Sequence, residues 1–470
     1  MKDKTGEDMT GNENLRKFSE KDRRRDIITY AIMLAFGLIF YFVPGTWIGM
    51  EEDSLSYLAL ERREGVLPGY IAFLSFFKVL FSEEYFLHGV VIAQSFLAIG
   101  CTFLFVWVLK KRFNLKGWEC ILFYLFSMLP FSIYLPEVGI THQILTEGIT
   151  YAIFYLFIIT VLEAVWTLKY KWYLGSMAVA VLLGLIRSQM LFLQVVCLLV
   201  LLWITFKRFG GKLVLKLVAV FFILAVGIVL AMGIKIKAAA SQFASVIIAR
   251  GFYEADEEDV ELYDDVMMQE IFRKTYKLAD ENEALHQYAE PGLYMWEDLV
   301  HDDIKFYASQ ALKDYYAEHP DAEIRNAGDI FFELGFKELM EHFDRYLYHS
   351  MRLMMPSFIA TVFFQIKPIY FLCHIITFFI YFFAIAGTVT TAKLGGGRKV
   401  IELMIVVLSV LVVMVVTVNM LFIGLQRYVV YGMGIFYCAL YLLCREMAWC
   451  LCERSGKKWH LLKAFIGERV

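Results

Sequence analysis

Charge is scarce where this chain is most apolar. The centres of its long hydrophobic runs are nearly free of charged residues, and Glu163 and Glu402 lie toward run ends. A transporter or lipid flippase is expected to carry ionisable groups at mid-membrane depth, and many are assembled from internal repeats. No internal repeat is visible, so both absences count against translocation. Cysteine is missing from the polar region 235–366, which therefore has no disulfide framework. The eight cysteines fall in apolar runs or beside basic segments. Cys444, Cys450 and Cys452 lie close together, but no histidine or cysteine partner stands at zinc spacing, and they read as ordinary thiols. A small-residue cleavage site is absent between the first apolar run and the acidic residues after it. That run reads as a retained span, not a removed signal.

What is present is apolar surface in membrane-sized pieces. Of 470 residues, 59% are hydrophobic, against about 45–50% in soluble domains, and the mean hydropathy is +0.57. Repeated runs of about 20 apolar residues have the length of a helical bilayer crossing. The fold class is an all-α polytopic membrane protein, and no nucleic-acid partner is expected. The net charge of −3 says little; its distribution says more.

Residues 1–26 form a basic tail that includes Arg16, Lys17, Lys21 and Arg23-Arg24-Arg25. A first span follows at 27–43, then a loop, 44–84, that holds a short apolar stretch from Tyr70 to Phe81. At roughly a dozen residues this stretch is too short to cross and reads as a helix in the interface. Spans are expected near 85–109, 118–135 and 144–168. Segment 172–206 is too long for one crossing, and Lys169 and Lys171 before it match Lys207 and Arg208 after it. Basic residues collect on the cytoplasmic side, so this segment is expected to cross twice and turn near Arg187-Ser188-Gln189. Further spans fall near 213–234, 368–391, 400–423 and 428–449, ahead of a basic tail at 450–470. The module 27–234 then holds spans 1–7 and 367–449 holds spans 8–10. The expectation is about ten spans with both termini cytoplasmic.

Region 235–366 is the one large extramembrane segment and is expected to face outward as a mostly helical domain. Val260, Met267, Ile271, Phe272, Phe331, Phe332, Leu334 and Leu339 recur at helical spacing, and Pro291-Gly292 and His319-Pro320 punctuate the region. Its first part is acidic, with Glu254, Asp256-Glu257-Glu258-Asp259 and Asp264-Asp265. The run lacks the alternating ligands and glycine of an EF-hand loop, and reads as a solvated face.

Four features can carry chemistry. Glu51-Glu52-Asp53 is followed by Ser54 and Tyr57. It is either a solvated loop start, with Asp53 or Ser54 capping a helix through 55–63, or a general base or metal ligand at an outward cavity. Glu147, after Leu145-Thr146 and before Gly148, stands at the outer end of span four, where an ionisable group is either a hydrated helix end or a functional residue. His142 shares that edge as a second polar wall. Arg187 and the Arg427-Tyr428 pair stand at outer turns. Each arginine either snorkels to head groups or grips a phosphate with its planar fork. Lys78 adds a cation at head-group depth. Carboxylates and cations on one membrane face suit attack on an anionic lipid.

In the order of these parts the chain resembles the GT-C superfamily of integral-membrane glycosyltransferases. The likeness is to family-39-like members related to protein O-mannosyltransferases and bacterial lipid-linked-sugar transferases. The matches are Glu52-Asp53-Ser54 with Tyr57, running toward Gly65 and Pro68; Thr146-Glu147; Gly184-Leu-Ile-Arg187; and Arg427-Tyr428. Two departures stand out: Ser188 follows the arginine where the family often has proline, and Val429-Val430-Tyr431-Gly432 lacks a later proline. The resemblance implies transfer of a sugar from a polyprenyl-phosphate donor to an acceptor hydroxyl of a glycan, lipid or protein on the extracytoplasmic face of the cell membrane. It implies Asp53 as catalytic base and Glu52 as its neighbour, raising its pKa or helping to hold a divalent metal such as Mg²⁺ or Mn²⁺. It implies Arg187 and Arg427, with Lys78 behind them, as stabilisers of the leaving phosphate. Tyr57, His142, Glu147 and Tyr428 complete the candidate substrate-binding set. Three alternatives stand beside it: a polysaccharide polymerase or ligase that uses a lipid-diphosphate glycan, a lipid or sugar transporter or flippase, and a scaffolding membrane protein in which region 235–366 binds a partner.

Overall fold

A computed structural model describes residues 7–43, 45, 47–59, 68–133, 139–209, 244, 246–288, 297–363, 369–421 and 426–454. The expected span 213–234 lies outside the described residues. Those described are helical, with no strand and one isolated bridge between Gly49 and Gln143. The helices are α1 (Glu7–Phe42), α2 (Glu52–Leu58), α3 (Pro68–Leu80), α4 (Phe86–Phe113), α5 (Gly117–Met128), α6 (Glu147–Thr167), α7 (Tyr170–Ile186) and α8 (Phe192–Phe209). After a helical segment over 246–252 come α9 (Val266–Glu281), α10 (Glu297–Glu318), α11 (Ala327–Glu341), α12 (Phe343–Ala360), α13 (Tyr370–Lys393), α14 (Arg398–Leu421) and α15 (Met433–Arg454).

Six of these stretches are long and apolar enough to cross a membrane: Arg23–Phe42, Phe86–Phe113, Glu147–Thr167, Phe371–Lys393, Arg398–Met420 and Arg427–Arg454. Shorter apolar helices are Pro68–Leu80, Gly117–Ser132 and Tyr170–Ile186. Helices suit this composition because each satisfies its own backbone hydrogen bonds away from water. Segment 172–206 breaks where its flanking charges predict. The chain leaves α7 at Arg187 in an extended conformation (φ −148°, ψ 122°), passes through the 3₁₀ turn Ser188–Leu191, and re-enters helix at Phe192. The break needs no proline at position 188.

The bundle has chemically different ends. Lys110, Lys111 and Arg112 end α4, Lys207 and Arg208 end α8, and Lys393 ends α13, while Arg398 starts α14. Ion pairs knit this basic end: Lys110 with Asp26, Arg112 with the buried Glu163, and Arg445 Nη1 with Glu119 Oε1 at 3.0 Å. Asp53, Glu147, Arg187 and Arg427 sit at the opposite helix ends.

Residues between Ala244 and Leu334 form a second core of their own, with Ile248, Phe252, Met268, Ile271, Phe272 and Leu334 at its centre. The helical spacing read for Met267, Ile271, Phe272, Phe331 and Leu334 is borne out; Phe332 is exposed. Backbones touch where Gly251 meets Gly335: a Cβ on Gly251 would lie 1.8 Å from the Gly335 carbonyl oxygen, so a larger residue there pushes the helices apart. The acidic run departs from the solvated-face reading. Glu257 and Glu258 are exposed, but Glu254 and Asp259 are buried, Glu254 Oε1 lying 2.6 Å from His349 Nδ1 and Asp259 Oδ2 2.7 Å from His342 Nε2. The Tyr346 hydroxyl on α12 donates to the Met420 carbonyl at the end of α14. The domain therefore stands at the Asp53 end of the bundle.

Candidate active site

The acidic cluster begins a short helix one turn earlier than its sequence suggests. Helix α2 runs Glu52–Leu58 with Glu51 as N-cap; the Glu51 N–H donates to Ser54 Oγ at 2.9 Å. Glu51 and Ser54 thus form the cap, and Asp53 is left with its side chain 59% exposed. Glu52 is described by its backbone alone. Tyr57 is half-buried on the same helix; burial pushes its hydroxyl up to about 12, with Arg187 pulling it down. Tyr57 is therefore a neutral donor at ordinary pH.

Four segments distant in sequence meet beside it. The Arg187 Nη1 contacts Glu147 Oε2, with the two side chains 11% and 3% exposed, and donates to Thr146 Oγ1 at 2.9 Å. The Thr146 hydroxyl in turn donates to Glu147 Oε2 at 2.9 Å. Arg427 bridges two carboxylates, with Nε 3.5 Å from Glu147 Oε1 and Nη2 3.4 Å from Asp53 Oδ2. The Tyr428 ring lies 4.4 Å from the Arg187 guanidinium carbon and 5.4 Å from that of Arg427, close enough for cation–π attraction. The Gln426–Val429 turn that carries these residues is pinned from both sides. The Tyr151 hydroxyl donates to the Arg427 carbonyl at 2.7 Å, and Gln189 Nε2 donates to the Tyr428 carbonyl at 3.4 Å.

Asp53, Tyr57, Glu147, Arg187, Arg427 and Tyr428 are thus brought together, as their sequence motifs suggest. Two roles change. Arg187 is committed to a buried carboxylate and is not an open phosphate clamp. Glu147 is no hydrated helix end, but the anion that both arginines share.

Two candidates fall elsewhere. Lys78 pairs with Glu83 at 3.0 Å, with its side chain 40% exposed at the far end of α3; it does not join the cluster. His142 is buried and turned toward the chain that leaves α1, its Nε2 3.1 Å from the Gly45 carbonyl and its Nδ1 3.3 Å from Thr141 Oγ1. A neutral ring with the proton on Nε2 satisfies both contacts. Burial holds its pKa below the ordinary value, against the backbone carbonyls of Gly45 and Tyr41. His142 positions a loop and is not a wall of the arginine–carboxylate cluster.

Sequence reasoning passed over Gln94. This fully buried amide on α4 donates from Nε2 to the carbonyls of Thr141 at 2.7 Å and Gln143 at 3.1 Å, and accepts from the Tyr70 hydroxyl at 3.0 Å. It holds the segment before Glu147 against α3 and α4. A lone amide within an apolar span is the signal that finds it. Helix α3 is pressed onto the end of α7: a Cβ on Gly69 would lie 2.7 Å from the Leu185 carbonyl oxygen.

An aromatic row leaves the cluster along α3. Ring centroids are 5.3 Å apart for Tyr57 and Tyr70, 6.0 Å for Tyr70 and Phe73, 5.0 Å for Phe73 and Phe77, and 6.1 Å for Phe77 and Phe81. The row ends at an open apolar groove of about 760 Å³ between α3 and α4, lined by Phe77, Leu80, Phe81, Tyr85, Ile92 and Phe96 among others. Among the described residues, no group of three metal-ligand side chains includes Asp53; the cation beside its carboxylate is Arg427.

In comparisons with known proteins, no family model, no curated protein and no solved structure matches the chain.

Proposed function

We propose that this chain is a GT-C-like membrane glycosyltransferase that transfers a sugar from a polyprenyl-phosphate donor to an acceptor hydroxyl. The observation that carries the reading is the Asp53–Arg427–Glu147–Arg187 chain of alternating charge, assembled from four separate segments. Asp53 is the exposed carboxylate at its end and takes the acceptor proton. The acceptor oxygen bonds to the anomeric carbon as the bond from that carbon to the phosphate oxygen breaks, and polyprenyl phosphate leaves. Arg427, partly exposed and next to Asp53, is the cation for the developing phosphate charge. Arg187 and Glu147 orient it, and Tyr57 supplies a neutral hydroxyl. The aromatic row and apolar groove along α3 suit the hydrocarbon tail of the carrier.

The basic end of the bundle belongs in the cytoplasm by the positive-inside rule. On this reading Asp53 and the outer domain face the extracytoplasmic side, with about ten crossings and both termini inside.

The test is transfer from a polyprenyl-phosphate sugar in proteoliposomes, native against Asp53→Asn. Loss of transfer in the folded variant supports the reading; full transfer by it removes Asp53 as base. Mass spectrometry of co-purified lipid discriminates the donor. A monophosphate-linked sugar supports this reading, and a diphosphate-linked oligosaccharide points to a polymerase or ligase.

A further inference from the structure

Three carboxylates are buried among the described residues of the outer region: Glu254, Asp259 and Glu338. Asp256 caps the 3₁₀ turn Glu257–Leu262, and Asp259 lies within it. His342 stands at the corner between α11 and α12, with Nε2 2.7 Å from Asp259 Oδ2. One ligand atom from each of Asp256, Asp259 and His342 lies within 4.8 Å of the others. Glu338, one turn before His342, is fully buried. Its Oε1 accepts from the Tyr263 hydroxyl at 2.6 Å, its Oε2 has no hydrogen-bond partner, and Asp259 is the charged neighbour that acts on it most. Two carboxylates hold no donor between them; burial raises the Glu338 carboxyl to about 9, so it keeps a proton that a bound cation would displace. Arg345 neutralises neither. Its donors go to Asp256 Oδ2 at 2.7 Å and the Glu254 carbonyl at 3.3 Å. Among the described residues, no lysine or arginine pairs with Asp259 or Glu338.

We propose that Asp256, Asp259 and His342, with Glu338 behind Asp259, form a structural site for a divalent cation of the Zn²⁺ class. An imidazole mixed with carboxylates suits zinc, whereas Ca²⁺ and Mg²⁺ favour all-oxygen shells. The ion ties a turn at 256–262 to a helix corner about 80 residues further along the chain. Helix α12, which begins at that corner, carries Tyr346 and Ser350. Tyr346 contacts the Met420 carbonyl, and Ser350 accepts from Arg250 Nη2 at 2.8 Å. The cation therefore sets how the domain seats on α14, just before the Arg427 turn. It acts on domain position and takes no part in the sugar chemistry. A second group, Glu270, Glu318 and His319, is mostly exposed and already holds Lys274; it serves as the competitor.

The full-length protein in detergent, stripped with chelator and then titrated with Zn²⁺, tests this. The expected result is one equivalent bound and a raised unfolding temperature, which Mg²⁺ at the same concentration does not reproduce. Affinity falls at least about tenfold in His342→Gln or Asp259→Asn, and stays unchanged in His319→Gln. A native chain that binds no zinc overturns the site, as does binding lost in His319→Gln but kept in His342→Gln. Should His342→Gln fail to fold, His342→Cys loaded with Co²⁺ decides. A thiolate-to-cobalt charge-transfer band supports ligation at position 342, and its absence in the folded variant overturns it.

Discussion

Arg187 and Glu147 form a closed ion pair at the seam where α7 ends and α6 begins, with side chains only 11% and 3% exposed. A charge pair so enclosed is held by its partners and not by water. Thr146 bonds to both members, and the Tyr428 ring covers the guanidinium. Arg427, at 22% exposed, reaches from the same Glu147 to Asp53. The pair is thus the foundation on which the exposed part of the cluster stands.

Glu147→Gln leaves Arg187 buried without its counter-charge, and a stability loss of about 3–5 kcal/mol is expected. Asp53→Asn touches an exposed carboxylate and should cost less than about 1 kcal/mol. Thermal unfolding of both variants in one detergent compares them. The reverse ranking would make Asp53 the structural residue.

On the proposed reaction, removal of a general base lowers turnover by about 10²–10⁴-fold. Asp53→Asn should therefore lose activity by that factor at near-native stability. Arg427→Lys keeps a charge but loses the fork that spans Glu147 and Asp53, and an intermediate loss is expected. Initial rates of sugar transfer, measured beside melting curves, separate chemistry from folding.

Gln94→Leu deprives the carbonyls of Thr141 and Gln143, and the Tyr70 hydroxyl, of their partner. Each group left unsatisfied costs about 1–3 kcal/mol. The expected outcome is strong destabilisation although no charge is altered. Chaotrope-induced unfolding of the variant checks it, and an unchanged midpoint would mean that the segment 139–147 is held by other means.

His142 predicts a pH dependence. Its folded-state pKa lies below the ordinary value, chiefly through burial. The unfolded chain takes up the proton first as pH falls through about 6.5. Stability contributed by the neutral ring is therefore full above that pH, declines below it, and levels off once the folded ring is also protonated. The fall in melting temperature from about pH 7.5 to about pH 5.5 should shrink in His142→Gln. Equal falls in both proteins would show that the burden lies on other groups, such as His286.

Helical membrane character was legible from apolar runs because bilayer thickness dictates helix length. The turn at Arg187 was legible from lysines and arginines at both ends of one long run. The short helix over 70–81 followed from length alone and appears as α3, Pro68–Leu80. Hydropathy is silent on partners. Lys78 looked like a fifth member of the cluster, yet about two turns of α3 carry it away from Tyr70 to Glu83. Gln94 was missed because it carries no charge and belongs to no motif.

By itself, the sequence determined which segments are apolar enough for a membrane, where basic residues collect, and that acids and arginines gather at the opposite helix ends. These follow from transfer free energies, which are local properties of a residue and its neighbours. Pairing was decided only by the tertiary structure. It joined Arg187 to Glu147, set Arg427 between Glu147 and Asp53, and buried Asp259 beside Glu338 and His342. Ion pairs and burial depend on separations of a few ångström between residues up to 374 positions apart, and no local pattern encodes such distances.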